Sequence, residues 1–162
     1  LTSVYNRRYY DEHFQGANDI QAMGVIDVDN FKHINDNYGH DVGDIILQSI
    51  AQSVLSSVRK TDAVIRYGGD EFIIIFFGIP ADIFEKKLER IRHTVDHLII
   101  DEHPELHVSV SIGGAYGIGN TKELFKAADN MMYKSKKAKN QVSICFINNE
   151  KTAQTIFKME EL

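Results

Sequence analysis

Apolar residues along the chain follow two spacings, and the two alternate. Continuous or alternating apolar runs are typical of strands, whereas apolar residues three and four positions apart mark one buried face of a helix. The first spacing predicts strands at 22–28, on both sides of Gly68-Gly69, at 106–117 and at 141–147. The second predicts helices at the amino terminus and at 29–40, 41–60, 81–99 and 120–140. This alternation favours an α/β domain with a mixed central sheet flanked by helices.

Several residues predict how these elements begin and turn. The two glycines between apolar strands predict a tight hairpin with positive φ angles. Asp29 is placed as the N-cap of its helix, and Asn120 with Glu123 has the spacing of a capping box. No repeat or low-complexity tract interrupts the sequence before residue 148. We therefore expect one domain over 1–147 and a polar, helix-prone tail or linker over 148–162.

Composition narrows the possible classes of protein. The chain has 162 residues, 43% of them hydrophobic, which is enough for one domain with one core. Its net charge of −5 argues against broad nucleic-acid binding, which needs a basic surface. The single cysteine, Cys145, permits no internal disulfide and is interpreted as a buried strand residue in a reducing compartment.

Location and domain context follow from the same sequence. No apolar stretch is long enough to span a membrane, so we expect this domain to be cytoplasmic and free of membrane contact. The chain begins without Met, within a segment that resembles the start of a helix. We therefore expect a fragment of a longer multidomain signalling protein, which can itself carry a membrane anchor.

Carboxylates interrupt two of the apolar strands. Asp27 lies near the end of the first strand, and Asp70 and Glu71 directly follow the paired glycines. A buried carboxylate is costly without a partner, so solvent at a turn, a salt bridge or a metal ion must compensate these charges. Divalent cations such as Mg²⁺ prefer carboxylate and carbonyl oxygens together with substrate phosphates. A solvated hairpin end is the commoner explanation for two acids alone, but their combination with Asp27 favours a metal site.

The segment RYGGDEF at 66–72 resembles the signature of the GGDEF family, the diguanylate cyclases. Segments at the amino terminus (LTSVYNRRYY) and at 27–44, 108–115 and 128–140 resemble further motifs of that family. A single GGDE is a weak signal, but five motifs in order over roughly 1–147 are a strong one. The resemblance implies a fold related to nucleotidyl cyclases and the polymerase palm, with the GGDEF turn on a β-hairpin. It also implies condensation of two GTP molecules into cyclic di-GMP, with release of two pyrophosphates.

The resemblance assigns the metal and catalytic roles to particular residues. It implies that Asp27, the carbonyl of Val28 and Asp70 bind Mg²⁺, with two ions per active site and Mn²⁺ as a possible substitute. Asp70 is also expected to help deprotonate the attacking 3′-hydroxyl, and Glu71 is expected to belong to the catalytic group. Lys32 is expected to stabilise the phosphates. Residue type alone favours a simpler role for it, that of an exposed, solvated lysine on a short helix.

Substrate binding is likewise assigned by resemblance. The lysines Lys136 and Lys139 are expected to hold the triphosphate, and Gly68 with Gly69 is expected to let phosphates approach the backbone. Guanine recognition is assigned to Asn35, His40 and Asp44. Residue type alone favours simpler roles: a solvated helix end for the two lysines, turn residues for Asn35 and His40, and a helix-stabilising acid for Asp44.

A second site is suggested by RKTD at 59–62, which matches the family's RxxD product-inhibition motif. Arg59 and Asp62 are expected to bind cyclic di-GMP, with Arg90 as an additional arginine, although a bare RxxD is commonly only an ion pair. Two residues depart from the family pattern. Lys139 replaces an arginine and loses its planar fork, and Gly114 replaces the more usual valine.

Two classes of function remain open from the sequence. In the first, the chain is an active cyclase that works as a two-fold homodimer, because each domain holds one GTP, and an upstream sensory or regulatory domain controls it. In the second, it is a catalytically silent module that binds GTP or cyclic di-GMP and regulates a partner. Degenerate domains usually lose their acids, and Asp27, Lys32, Asp70 and Glu71 are all present, so the enzyme is the favoured hypothesis.

Overall fold

The computed structural model describes residues 4–147, so the predicted tail at 148–162 lies outside the described residues. The strands are β1 (Tyr5–Asn6), β2 (Ile20–Val28), β3 (Ala63–Arg66), β4 (Glu71–Phe76), β5 (Val110–Gly119) and β6 (Val142–Phe146). The helices are α1 (Arg7–His13), α2 (Phe31–Tyr38), α3 (His40–Ser57), α4 (Ala81–Asp96) and α5 (Thr121–Ala138). The strands form one sheet in the order β1-β3-β4-β2-β5-β6. Its centre is antiparallel, and its outer pairs β1/β3 and β5/β6 are parallel, so the predicted mixed sheet is confirmed.

The sheet is buried on both faces because side chains alternate along its strands. In β2, Ile26 and Val28 face the cluster formed with α2, α3 and α4. Met23 and Val25 face the opposite cluster, formed with α1 and α5. Asp27 follows the second pattern, so its side chain lies on the α5 face of the sheet.

Two consecutive glycines in β5 let helices approach both faces closely. A Cβ on Gly113 would lie 2.1 Å from the Ala128 carbonyl oxygen of α5, so a side chain there would force α5 outward. A Cβ on Gly114 would lie 2.9 Å from Phe84 and 2.7 Å from Leu88, both on α4. Gly114, which departs from the family pattern, is therefore explained by the bulk of these two side chains.

Three local predictions need correction. Asp29 is not a helix cap: α2 begins at Phe31, Asn30 is at the N-cap position, and Asp29 is 2% exposed. Neither Gly68 nor Gly69 has positive φ, because the four residues 67–70 close the hairpin without a left-handed turn. Cys145 lies in the predicted strand but is only half-buried, because β6 is at the edge of the sheet.

Other boundaries differ little from the prediction. Asn120 caps α5 as predicted, accepting a hydrogen bond from the Glu123 backbone N–H at 2.9 Å. The predicted amino-terminal helix is preceded by the short strand β1 and begins at Arg7. Among residues 4–147, the structure contains no helix with the length and apolar character that crossing a membrane requires.

Candidate active site

The ends of three neighbouring strands bring polar side chains together on the α5 face of the sheet. In the strand register, Asp27 of β2 lies opposite Glu71 of β4 and opposite Ser111 of β5. Residues opposite each other on antiparallel strands point to the same face. The close approach of α5 at Gly113 then places the carboxyl-terminal turns of α5 above this edge, which we call the acidic edge (Asp27, Asp70 and Glu71).

Asp27 is the most confined carboxylate of the acidic edge. Burial and the neighbouring charge of Asp70 raise the pKa of Asp27 to about 6, although Lys136 opposes the rise. Lys136 Nζ lies 3.2 Å from Asp27 Oδ1, close enough for an ion pair. Oδ1 is nevertheless buried without a hydrogen-bond partner, because this contact lacks hydrogen-bond geometry. Asp27 therefore has spare capacity to bind a cation.

Asp70 is held beside Asp27 by the backbone. Its carbonyl oxygen accepts a hydrogen bond from the Val28 N–H at 3.1 Å, which ties the hairpin to the end of β2. Within the hairpin, Arg66 Nη2 donates to the Gly69 carbonyl at 2.8 Å. No atom lies within 4 Å of a Cβ built on Gly69, and on Gly68 the nearest is Glu71 Cβ at 3.7 Å. Packing does not require these glycines, and they leave open space beside the acids.

Glu71 faces a second, unpredicted acid on α5. Burial and the charge of Asp129 raise the pKa of Glu71 to about 7, with smaller contributions from Asp27 and Asp70. Arg7 opposes the rise, and its guanidinium lies 4.5 Å from the centre of the Tyr67 ring. The negative charges of Asp27 on β2 and Glu71 on β4 are thus compensated only in part by the surrounding protein.

The oxygen atoms at this edge fit a hard divalent cation. Lys136 Nζ donates to the Val28 carbonyl at 3.1 Å, so an ammonium group already lies between the carbonyl and Asp27. Within residues 4–147, no three His, Cys, Asp or Glu side chains form a group that could hold a metal ion. A cation here would therefore take two carboxylates and a carbonyl from the chain and complete its coordination with phosphate oxygens and water, as Mg²⁺ commonly does.

The predicted phosphate-binding lysines border the same edge. Besides Lys136, Lys139 extends from the end of α5 and donates to Asn30 Oδ1 in the β2–α2 turn at 2.6 Å. Lys32 is exposed on the first turn of α2. The structure thus places two of the three predicted cations in contact with the β2–α2 turn, and the third is on the helix that follows this turn.

The residues predicted to read guanine lie where α2 meets α3. Asn35 Oδ1 is buried without a hydrogen-bond partner, and a Cβ on Gly43 would lie only 2.0 Å from it. Gly43 is therefore needed to make room for the amide. His40 and Asp44 are both exposed and lie four residues apart on α3, which places them on one face of the helix.

The RxxD residues form a self-contained pair elsewhere on the molecule. Asp62 accepts a hydrogen bond from the Arg59 backbone N–H at 2.9 Å. It also forms an ion pair with Arg59 Nη2 at 3.3 Å. Arg59 also donates to the Gly78 carbonyl. Arg90 is exposed on α4, one turn beyond Lys87, whose Nζ donates to the Ser57 carbonyl at the end of α3. A cavity of about 220 Å³ borders Arg59 and Asp62.

Sequence reasoning missed three residues of this region, Gly43, Asp129 and Asn140, and it misassigned Asp29 as a helix cap. The segment VSVSI carried one usable signal. Its two serines alternate with apolar residues and so lie together on one face of the sheet, where apolar residues are expected. The serine hydroxyls donate to Asp29, at 2.7 Å from Ser109 and 2.6 Å from Ser111. Asp129 and Asn140 carried no comparable signal, because their neighbours come from distant parts of the chain.

Fold and site together define an α/β domain with an acidic, lysine-bordered edge suited to a cation and phosphate. The family model described as "Diguanylate cyclase, GGDEF domain" matches residues 1–142. The chain belongs to this family, as the resemblance implied, and the family generally uses a divalent metal ion.

Relatives and solved structures agree with this assignment. The chain is 35% identical to "Diguanylate cyclase DgcM" of Escherichia coli K12, over 84% of this chain and 35% of that protein. It is 32% identical to "Probable diguanylate cyclase DgcC" of the same organism, over 85% of this chain and 40% of the relative. The chain thus spans less than half the length of these curated relatives. Among solved structures, it resembles the GGDEF domain of DgcB from Caulobacter crescentus in complex with c-di-GMP, with a TM-score of 0.79 and 28% identity over 89% of this chain and 92% of that one.

Proposed function

We propose that two copies of this domain condense two GTP molecules into cyclic di-GMP and release two pyrophosphates. The observation that carries the proposal is the buried Oδ1 of Asp27 beside Asp70: it has no hydrogen-bond partner, and the edge around it is bordered by Lys136 and Lys139. Carboxylates for a cation and lysines for phosphates are the groups that transfer of a nucleotidyl group requires. The relatives named diguanylate cyclase support the same reaction.

The chain's residues have separate tasks in this reaction. Asp27, Asp70 and the Val28 carbonyl would hold Mg²⁺, two ions per site, and the same ligands would accept Mn²⁺ in its place. When bound, the ions make the 3′-hydroxyl more acidic and neutralise charge on the phosphates. Asp70, the last residue of the hairpin turn at 67–70, accepts the proton of the 3′-hydroxyl. Glu71 lies beside it and adds negative charge to the cation site.

The lysines and the α2–α3 corner orient GTP. Lys136 and Lys139 bind the triphosphate, Lys32 stabilises charge on it, and the phosphates approach the backbone at Gly68 and Gly69, which have no side chains of their own. Asn35, whose Oδ1 has no hydrogen-bond partner, contacts guanine through its amide together with Asp44 and His40. A base lacking the matching groups would leave this amide without a partner, which is a penalty that produces specificity.

The reaction requires a homodimer. Each domain holds one GTP and supplies the hydroxyl that attacks the α-phosphate held by the other, which demands a two-fold arrangement of identical sites. We further propose that upstream sensory or regulatory segments of a longer protein bring two domains together in the cytoplasm, where GTP is available.

Product inhibition is proposed for the RxxD pair. Arg59 is about half exposed and already oriented by Asp62, and Arg90 is exposed on α4, which packs against the preceding α3. Arginine forks bind phosphates and guanine edges in pairs of hydrogen bonds. A solved relative, DgcB, is described in complex with c-di-GMP, which supports the dinucleotide as the ligand.

The test is to incubate the domain, with dimerisation enforced by a fused coiled coil, with GTP and Mg²⁺ and to separate the products by chromatography. We expect cyclic di-GMP from the wild type, none from Asp70→Ala and an undiminished amount from Asp82→Ala, an exposed control on α4. Absence of product from the enforced dimer would contradict the proposal. If the dimer still bound GTP or cyclic di-GMP tightly, the receptor function would be favoured instead.

A further inference from the structure

Asp29 is a buried carboxylate to which the sequence assigns no role beyond capping. It is 2% exposed and accepts hydrogen bonds from Ser109 Oγ, Ser111 Oγ and the Asn140 backbone N–H, at 2.7, 2.6 and 2.9 Å. We call these four residues the Asp29 clamp. The donors come from the start of β5, from the residue just before it and from the α5–β6 loop, some 80 and 111 residues away along the chain. Asp29 thus joins the turn after β2 to the segment that carries the phosphate-binding lysines.

Unusual backbone conformations are concentrated around the clamp. Within residues 4–147, the non-glycine residues with positive φ are Asn30 at 56°, Lys139 at 61° and Asn140 at 50°. Asparagine adopts such angles readily, but Lys139 combines φ 61° with ψ 161°, a region that is nearly restricted to glycine. Strain of this kind persists only where surrounding contacts fix it, and it is concentrated at functional sites. One residue of the turn after β2 and two residues of the α5–β6 loop therefore adopt, near Asp29, conformations that need support.

A second set of contacts holds the α5–β6 loop from outside. Asn140 Oδ1 accepts from Arg92 Nη1 at 2.9 Å, and Asn140 Nδ2 donates to Asp96 Oδ1 at 2.9 Å. The backbone N–H of Lys139 donates to the Ser135 carbonyl. The loop is therefore fixed between Asp29 on its inner side and α4 on its outer side, and Lys139 projects from it toward the β2–α2 turn.

Charge gives the clamp a second link to the lysines. Asp29 Oδ1 lies 3.8 Å from Lys136 Nζ, the same ammonium that contacts Val28 and Asp27. A carboxylate buried this deeply is tolerated because donors and a nearby cation compensate it. Neutral asparagine would keep the size of the side chain but would lose the attraction for Lys136 and one acceptor oxygen.

We propose that Asp29 is a positioning residue that fixes Lys136 and Lys139 for the triphosphate, and this inference rests on the proposed binding of GTP at the acidic edge. Asp29 itself touches no phosphate. Its hydrogen bond to Asn140 holds the loop in the conformation that aims Lys139 across the edge, and its charge keeps Lys136 next to Val28. Loss of the clamp should therefore weaken binding of the triphosphate and leave binding of the base unchanged.

The test compares two probes, a non-hydrolysable GTP analogue and guanosine, each titrated calorimetrically into the metal-loaded domain. We expect Asp29→Ala to weaken binding of the analogue about ten-fold and to change binding of guanosine by less than about two-fold. In a Lys139→Ala background the same substitution should have a much smaller effect on the analogue, because one lysine of the pair is already missing. Asp82→Ala, on the exposed face of α4, is the matched control. If Asp29→Ala does not fold, Asp29→Asn replaces it in the same design.

The outcomes separate this inference from the proposed function. Equal losses for both probes would show a general structural role and overturn the inference, and so would full additivity of Asp29→Ala with Lys139→Ala. A wild-type domain that binds the analogue but forms no cyclic di-GMP would contradict the proposed reaction. The positioning role would still be supported if Asp29→Ala weakened binding of the analogue and not of guanosine. A wild-type domain that binds neither probe would overturn both.

Discussion

The acidic edge and the RxxD pair both combine charges near the surface, but they treat those charges in opposite ways. At the RxxD pair, the fully buried side chain of Asp62 is matched by the backbone and guanidinium of Arg59. At the acidic edge, burial and mutual repulsion raise the pKa of Asp27 to about 6 and that of Glu71 to about 7, and one carboxylate oxygen has no hydrogen-bond partner. Matched charge is stable without a ligand, whereas unmatched charge indicates one. This contrast supports our proposal that the acidic edge holds the cation and that the RxxD pair is a preformed surface for a ligand.

The largest expected effect comes from removing charge at the acidic edge. Asp27→Asn should lower the rate of cyclic di-GMP formation by at least about 100-fold, because an anionic ligand of the cation is replaced by a neutral amide. The rate should also need a higher Mg²⁺ concentration for half-maximal activity. Both are measured in initial-rate assays over a range of Mg²⁺ concentrations, with the exposed Asp82→Asn as control. A normal Mg²⁺ dependence in Asp27→Asn would show that the edge is not the cation site.

A smaller effect is expected at the RxxD pair. Arg59→Ala should raise the concentration of cyclic di-GMP needed for half-inhibition by about ten-fold, because a charged hydrogen-bond donor to the ligand is lost. Arg90→Ala should have a weaker effect in the same direction, since no described contact orients its side chain before binding. Each variant is compared with its own uninhibited rate. Unchanged inhibition in Arg59→Ala would show that the RxxD pair is not the site at which cyclic di-GMP inhibits the reaction.

The smallest effect is a pH-dependent change in stability. Because the pKa of Glu71 rises from its ordinary value of 4.5 to about 7 on folding, its contribution to stability is present below pH 4.5 and is lost as the pH rises through about 7. Glu71→Gln should therefore raise the melting temperature of the metal-free domain more at pH 8 than at pH 5. Glu85→Gln, an exposed control, should show no such difference.

Asp62→Asn should instead lower the melting temperature, because Asp62 accepts the hydrogen bonds that fix Arg59.

The sequence predicted the acidic edge but not the contacts that support it. Asp27, Asp70 and Glu71 stand out because they interrupt apolar strands, and the mixed sheet follows from regular spacing of apolar residues. Asp29 was misassigned because an aspartate before a helix is typical of an N-cap, whereas its actual partners lie in β5 and the α5–β6 loop. The conformation of Gly68 and Gly69 was also wrong, because a four-residue turn does not need left-handed glycines. Distant contacts and turn geometry are thus the parts that local patterns do not contain.

The central claim is that two acidic edges, each with its own GTP, complete one reaction. The most direct test is the initial rate of cyclic di-GMP formation as a function of domain concentration, with GTP and Mg²⁺ saturating and no fused dimerisation segment. At concentrations where the domain is mostly monomeric, the rate should rise with the square of the domain concentration, because mass action sets the amount of dimer. A rate that rises only in proportion to domain concentration throughout this monomeric range, or a complete lack of product at every concentration, would contradict the claim.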